Sequence, residues 1–218
     1  MEIKVIKHLL DESAKKADEI RALLREKKVL MVNLIGSPGS GKTSLLEKTL
    51  AAFTGKLRCA IIEGDVATDR DAVRLQKYEV PICLINTEGA CHLEPMSIRK
   101  ALEEFDLDAT DLIFVENVGN LVCPAEFDIG EHAKVAIASV AEGHDKPEKY
   151  PLLFNECKAV VLNKIDLQPF TDFDKDYFYA SVEKLSGKIP TFETSCRGSL
   201  GLEAWFDWLE EQCSAIHL

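Results

Sequence analysis

Residues 29–43, V-L-M-V-N-L-I-G-S-P-G-S-G-K-T, run from an apolar stretch straight into a glycine-rich turn. The segment Gly36 to Thr43 fits the pattern G-x-x-x-x-G-K-[ST], a loop that cradles phosphate between a strand and a helix. The spacing has a mechanical reason. Gly39 and Gly41 let the backbone curl so that successive N–H groups point inward at an anion, with Ser37, Pro38 and Ser40 filling the rest of the turn. Lys42 is placed to reach β- and γ-phosphate oxygens, and Thr43 to offer its hydroxyl to Mg²⁺. Ser44 follows at the start of a helix-competent run whose dipole adds to the field.

The same texture continues outward. Six short apolar runs appear, at 29–35, 58–64, 80–86, 111–117, 134–140 and 157–163. They are nearly continuous in Val, Ile and Leu, which marks strands covered on both faces, as in a parallel sheet. Helix-like segments lie near 42–53, 68–77, 95–104, 171–185 and 200–213. The alternation predicts an α/β fold, a three-layer P-loop NTPase with a mostly parallel central sheet. The polar segment 143–151, with two prolines, is expected to be a long surface loop.

Ahead of the first strand, Ile6, Leu9, Leu10, Ala17, Ile20, Leu23 and Leu24 recur at helical spacing and predict one amphipathic helix over residues 2–27. Residues 1–28 then form an N-terminal helix, and 29–218 one nucleotide-binding domain. The second half of the helical stripe is expected to pack on the domain, and the first turns to offer a docking surface for a partner.

Composition narrows the options. The 218 residues carry a formal net charge of −11, which repels a nucleic-acid backbone. No apolar run is long enough to span a membrane, and the first residues lack a signal-peptide pattern. The seven cysteines are irregularly spaced, which predicts reduced thiols and a cytoplasmic protein.

A second nucleotide element, N-K-I-D at 163–166, follows the last of the six runs. Asp166 can accept from both N1–H and the N2 amine of guanine, whereas adenine would leave that carboxylate unsatisfied, so the base expected is that of GTP or GDP. Lys164 can lie over the base, and Asn163 can tie neighbouring loops together. Ser195 and Cys196, in S-C-R-G, are a further candidate segment for the guanine O6. Mg²⁺ needs hard oxygen ligands, and two strand ends supply carboxylates. Asp65 is assigned to the metal, and Glu116 to its shell or to orienting the attacking water, with Asp69 a lesser candidate. Lys42, Asp65 and Glu116 are the expected catalytic set. The segment Glu116-Asn117-Val118-Gly119-Asn120 has the form of a γ-phosphate-sensing switch.

One stretch, T-E-G-A-C-H-L-E-P at 87–95, stands apart. Cys91 and His92 trail one strand, and Cys123 trails the switch segment at the same edge of the sheet. Three N/S donors are one short of a closed tetrahedral zinc site and suit an open, exchangeable one, which two chains on a two-fold axis could share. Free cysteines are more often small buried hydrophobes, which is the expectation for Cys59, Cys83, Cys157 and Cys213. His8, His132, His144 and His217 lack ligand-like spacing and are expected at the surface.

Taken together, G-S-P-G-S-G-K-T, E-G-D-V-A-T-D-R-D-A, T-E-G-A-C-H-L, E-N-V-G-N-L-V-C-P, D-K-P-E-K-Y-P and N-K-I-D resemble the hydrogenase nickel-incorporation GTPase family over residues 30–210. The resemblance implies a dimerising GTPase, of the class that includes signal-recognition and urease-accessory GTPases. Such a protein assists nickel insertion into the large subunit of nickel–iron hydrogenases, together with a small zinc-containing nickel chaperone. It implies a Ni²⁺ or Zn²⁺ site at Cys91, His92 and Cys123, beside the Mg²⁺ at Thr43, Asp65 and Glu116. In a face-to-face dimer, Lys146 would reach the partner's nucleotide. Residues 1–30 hold no cysteine and only His8, a departure from members with a nickel-storing N-terminus. Two other functions stay open: a sister metallochaperone GTPase serving urease or a cobalamin enzyme, and a regulatory GTP switch with incidental cysteines. The urease type would be expected to carry Cys-Pro-His in place of Cys91-His92.

Overall fold

The structure, a computed structural model, describes residues 8–65 and 70–216, with side chains within 12–64 and 73–216. The expected helix start at 2–7, Asp69 and His217 lie outside the described residues, as do the side chains of His8 and Asp65. Helix α1 (His8–Glu26) leads into β1 (Leu30–Gly36), α2 (Lys42–Phe53), β2 (Cys59–Asp65), α3 (Arg70–Leu75), β3 (Ile82–Asn86), α4 (Pro95–Leu102) and β4 (Leu112–Glu116). There follow α5 (Cys123–Glu126), β5 (Ala133–Ser139), α6 (Lys146–Lys149), α7 (Pro151–Glu156), β6 (Ala159–Asn163), α8 (Lys175–Ser186), β7 (Thr191–Glu193) and α9 (Glu203–Ile216).

The strands form one sheet in the order β3-β2-β4-β1-β5-β6-β7, and every pairing is parallel. The apolar runs explain this: β1 is buried along its whole length, because helices cover both faces. Leu30, Val32 and Leu34 pack on one face with Leu45 and Leu46 of α2 and Trp205 and Leu209 of α9. Met31 joins Ile20, Leu24, Ile98 and Leu102 on the other face. Trp205 is fully buried, and its indole N–H donates to Thr49 Oγ1 at 3.0 Å, which pins α9 to the helix that follows the phosphate loop.

The six expected strands are present, and the structure adds β7, whose three residues are too few to show a pattern. The expected loop at 143–151 is instead helical through most of its length. Pro147 and Pro151 sit in first turns, where a missing N–H costs nothing, so they open α6 and α7 rather than break them. Helix α1 docks through Ala17, Ile20 and Leu24, all without exposure. Arg21 holds it at the other side, donating to both oxygens of Asp128 at 2.7 Å.

His132 is not the surface residue that its spacing implies. It caps the entry to β5, and its Nδ1 accepts from the Met31 N–H at 3.0 Å, while Nε2 is buried without a hydrogen-bond partner among the described residues. Burial, with Arg25 and Arg21 adding repulsion, pushes its pKa down to about 4. An unfolded histidine titrates near 6.5, so as pH falls the unfolded chain binds the proton first. The stabilisation is complete above about pH 6.5 and is lost as pH falls towards about 4. His132→Asn keeps an acceptor for the Met31 N–H but cannot titrate. Denaturant melts between pH 7 and 4.5 should show a shallower acid loss in this variant than in the wild type; parallel pH curves would contradict the assignment.

Candidate functional site

Strand order reverses around β1, and the crevice at the carboxyl ends of β1, β2 and β4 is where open parallel sheets bind ligands. A cleft of about 510 Å³ opens there, lined by Pro38, Gly39, Lys42, Thr43, Glu63, Arg74 and the 116–119 segment among others. In register, Leu34 of β1 and Glu63 of β2 both pair with Glu116, so the two glutamates stand side by side at the strand ends.

The phosphate loop has the expected conformation. Gly39 and Gly41 take φ of +79° and +101°, values open to glycine, and a Cβ on Gly41 would fall 2.2 Å from Asn163 Nδ2. Lys42 Nζ turns back to the Gly36 and Ser37 carbonyls at 3.1 and 3.4 Å. Ser40 is fully buried within the turn. Thr43 donates to Glu116 Oε1 at 2.8 Å. Two expected Mg²⁺ ligands, 73 residues apart in the chain, are thus in direct contact, and their hard oxygens fit that cation. Asp65 ends β2 at the same edge. Arg74, on α3, lines the cleft as well; it bonds to Ser44 Oγ at 3.3 Å and to Glu47 at 2.5 Å. Nothing in its spacing marks it in the sequence.

The guanine elements converge on the same loop. Asn163 Nδ2 donates to the Ser40 carbonyl at 3.1 Å, and its Oδ1 accepts from Thr194 and from the Cys196 thiol. Lys164, at φ +60°, extends its ammonium to the Gly39 carbonyl at 2.5 Å. Ser195 donates to Asp166 Oδ1 at 2.6 Å, so N-K-I-D and S-C-R-G form one corner, with Cys196 buried behind it. Lys146 opens α6. Its ammonium lies 4.0 Å from Glu142 and 5.3 Å from the Tyr150 ring, in a crevice that Ser37 also lines.

The soft donors come together too. One ligand atom each from Cys91, His92 and Cys123 lies within 4.8 Å of the others, the one such cluster among the described residues. Cys91 is in the turn after β3, and Cys123 is the first residue of α5. The Cys91 thiol is held above its usual range, first by its hydrogen bond with Cys123. The His92 ring stacks on Phe127 with centroids 3.8 Å apart, which fixes its plane, and its Nε2 is buried without a hydrogen-bond partner among the described residues. Phe127 has no signal in the sequence. Cys83, expected buried, is only half-buried on the edge strand β3, whereas Cys59, Cys157 and Cys213 behave as apolar groups, which burial pushes up to about 12. Their thiols stay protonated and are poor ligands.

Behind the 116–120 segment, Asn117 donates to Asn33 at 3.1 Å, and Asn33 in turn to Glu131 at 3.2 Å. All three are buried, an unexpected polar line through the core.

Residues 30–193 match the CobW/HypB/UreG nucleotide-binding domain family. The hydrogenase maturation factor HypB of Escherichia coli strain K12 is 42% identical over 204 residues, which cover 94% of this chain and 70% of that protein. The crystal structure of HypB from Helicobacter pylori in complex with nickel superposes with a TM-score of 0.88 at 35% identity, covering 94% of this chain and 96% of the other. HypB from Archaeoglobus fulgidus gives 0.87 at 33% identity, covering 93% and 99%. The chain belongs to the CobW/HypB/UreG nucleotide-binding family, within its hydrogenase maturation factor group, and is a P-loop GTPase.

Proposed function

We propose that this GTPase is a metallochaperone that couples GTP hydrolysis to delivery of nickel into the large subunit of a nickel–iron hydrogenase. The observation that carries the proposal is the Cys91, His92 and Cys123 cluster, with one of its sulfurs seven residues beyond Glu116 on the segment that leaves the nucleotide cleft. The nickel complex of the Helicobacter pylori protein supports nickel as the cargo, and the same donor set is compatible with Zn²⁺.

In this scheme the loop amides and Lys42 bind the phosphates and offset charge that develops on the transferred group. Thr43, Glu116 and Asp65 would hold the Mg²⁺, which would supply electrostatic stabilisation there. Asp166 reads guanine, with Ser195 holding its carboxylate in place, while Asn163 braces the loop beneath. When the γ-phosphate is cleaved, the 116–120 segment loses that contact and relaxes, and Cys123 moves with it. Nickel favours square-planar and zinc tetrahedral arrangements, so a shift in one sulfur changes which ion the site holds and how tightly.

Three donors leave coordination positions open, which favours completion by a second copy of the chain, by the nickel-donating chaperone or by the client. A face-to-face homodimer would pool two such sites and bring Lys146 towards the partner's nucleotide. Exposed Glu12, Lys15 and Glu19 on the early turns of α1 offer a polar surface for the chaperone. Among the described residues no helix is long and apolar enough to cross a membrane.

Two measurements test the assignments. The double variant Cys91→Ala, Cys123→Ala should lose nickel and zinc binding by at least about 100-fold in equilibrium titration, since two of three donors are gone, while GTP hydrolysis persists. Retained nickel affinity would place the cargo elsewhere. Asp166→Asn should raise KM for GTP by about 5- to 150-fold with little change in kcat, because it removes an acceptor for guanine far from the reacting phosphate. An unchanged KM would remove Asp166 from base recognition.

A further inference from the structure

Cys91, in the turn after β3, and Cys123, at the start of α5, sit on different segments, so movement of one does not by itself dictate the geometry of the pair. The turn that carries Cys91 is shaped by local bonds: the Ala90 N–H to the Thr87 carbonyl at 2.9 Å, Thr87 Oγ1 to the Ala90 carbonyl at 3.0 Å, and the Glu88 N–H to Asn86 Oδ1 at 2.9 Å. Across the gap stands Asn120, whose Nδ2 donates to the Cys91 carbonyl at 3.2 Å. Its Oδ1 accepts from the Val122 N–H at 3.0 Å, the turn that leads directly into Cys123 and α5.

The nucleotide side of the same segment is equally constrained. Asn117 N–H donates to the Leu34 carbonyl at 3.1 Å, and Asn117 Oδ1 accepts from Val118 N–H, which fixes the start of the segment in the core. Gly119 lies flat against the phosphate loop, where a Cβ would be 2.8 Å from Pro38 Cγ. A continuous set of contacts therefore runs from Pro38 through Gly119 to Asn120, and from there to both sulfur-bearing segments at once.

We propose that Asn120 is a latch: its amide N–H holds the Cys91 turn against the segment that carries Cys123, and making or breaking that one bond lets the nucleotide state set metal affinity. Asn120 is a positioning residue, since among the described contacts it touches neither the nucleotide cleft nor a ligand atom. The inference rests on the nickel-delivery reading. A single amide-to-carbonyl bond weakens steeply with angle, so a small shift of the 118–120 segment opens it. With the bond closed the donors are pre-organised; with it open the two segments must be brought together on each binding event, which lowers affinity. One net hydrogen bond corresponds to a change of about two- to tenfold in the nickel dissociation constant.

The two roles of Asn120 can be separated. Asn120→Asp and Asn120→Ser both keep an oxygen that can accept from the Val122 N–H, as such side chains do two residues on in a turn, but neither can donate to the Cys91 carbonyl at that reach. The experiment is Ni²⁺ titration of the full chain, wild type and both variants, saturated with GDP or with a non-hydrolysable GTP analogue, so that hydrolysis does not enter. Thermal melts confirm that each variant is folded. The wild type should show different affinities in the two states, and in both variants the ratio should collapse towards one by about two- to tenfold. The serine variant is decisive because it adds no charge beside the metal; if it keeps the wild-type ratio, the latch is overturned. Equal affinities in the wild type itself would overturn the coupling between nucleotide and metal, and the latch with it.

Discussion

The pairing of β1 with β4, Leu34 opposite Glu116, decides where the rest of the chemistry falls. Because the strands are parallel neighbours, the segments that leave them emerge side by side at one edge of the sheet. One becomes the phosphate loop and the other the 116–120 segment. Thr43 and Glu116 then meet at 2.8 Å without any special loop design. The same placement presses Gly119 against Pro38, so a change at the phosphates is felt first by a backbone with no side chain to buffer it. From Gly119 the next residue is Asn120, and Cys123 is four residues on.

The polar line behind the segment fits this scheme. Asn33 lies in the middle of an otherwise apolar strand with no exposure, next to buried Asn117 and Glu131. Burying such groups is unfavourable unless their bonds are made, and here they are made in sequence. Asn117 donates to Asn33, Asn33 to Glu131 Oε1, and Glu131 Oε2 accepts the Ile129 N–H at 2.8 Å. Burial pushes the Glu131 carboxyl up. The effect is to anchor the root of the 116–120 segment to the core, which leaves its far end, with Asn120 and Cys123, as the part able to move.

The sheet and the phosphate cradle are legible in the sequence because each rests on a local rule. Continuous Val-Ile-Leu runs need two covered faces, and Gly39 and Gly41 need positive φ. The corner of Asp166 and Ser195 is legible as two motifs, but not as a contact, since 29 residues separate them. Other features belong to tertiary packing alone. His132 has no pattern around it, and only the fold places its Nδ1 on the Met31 N–H. Phe127 and Arg74 are ordinary residues until a ring stacks on His92 or a cleft opens beside α3. Helices α6 and α7 are hidden by prolines that usually signal loops. The roles of Asp65 and Asp69 depend on a stretch, 66–69, outside the described residues.

The central claim is that the nucleotide moves a donor atom. The most direct test is the distance from Cys123 Sγ to the His92 ring and to Cys91 Sγ, measured in crystals of the GDP form and of the form with a non-hydrolysable GTP analogue. The coupling requires the Cys123 sulfur to be displaced relative to the other two donors between those forms. The same three-atom arrangement in both, with Cys123 unmoved, would contradict it.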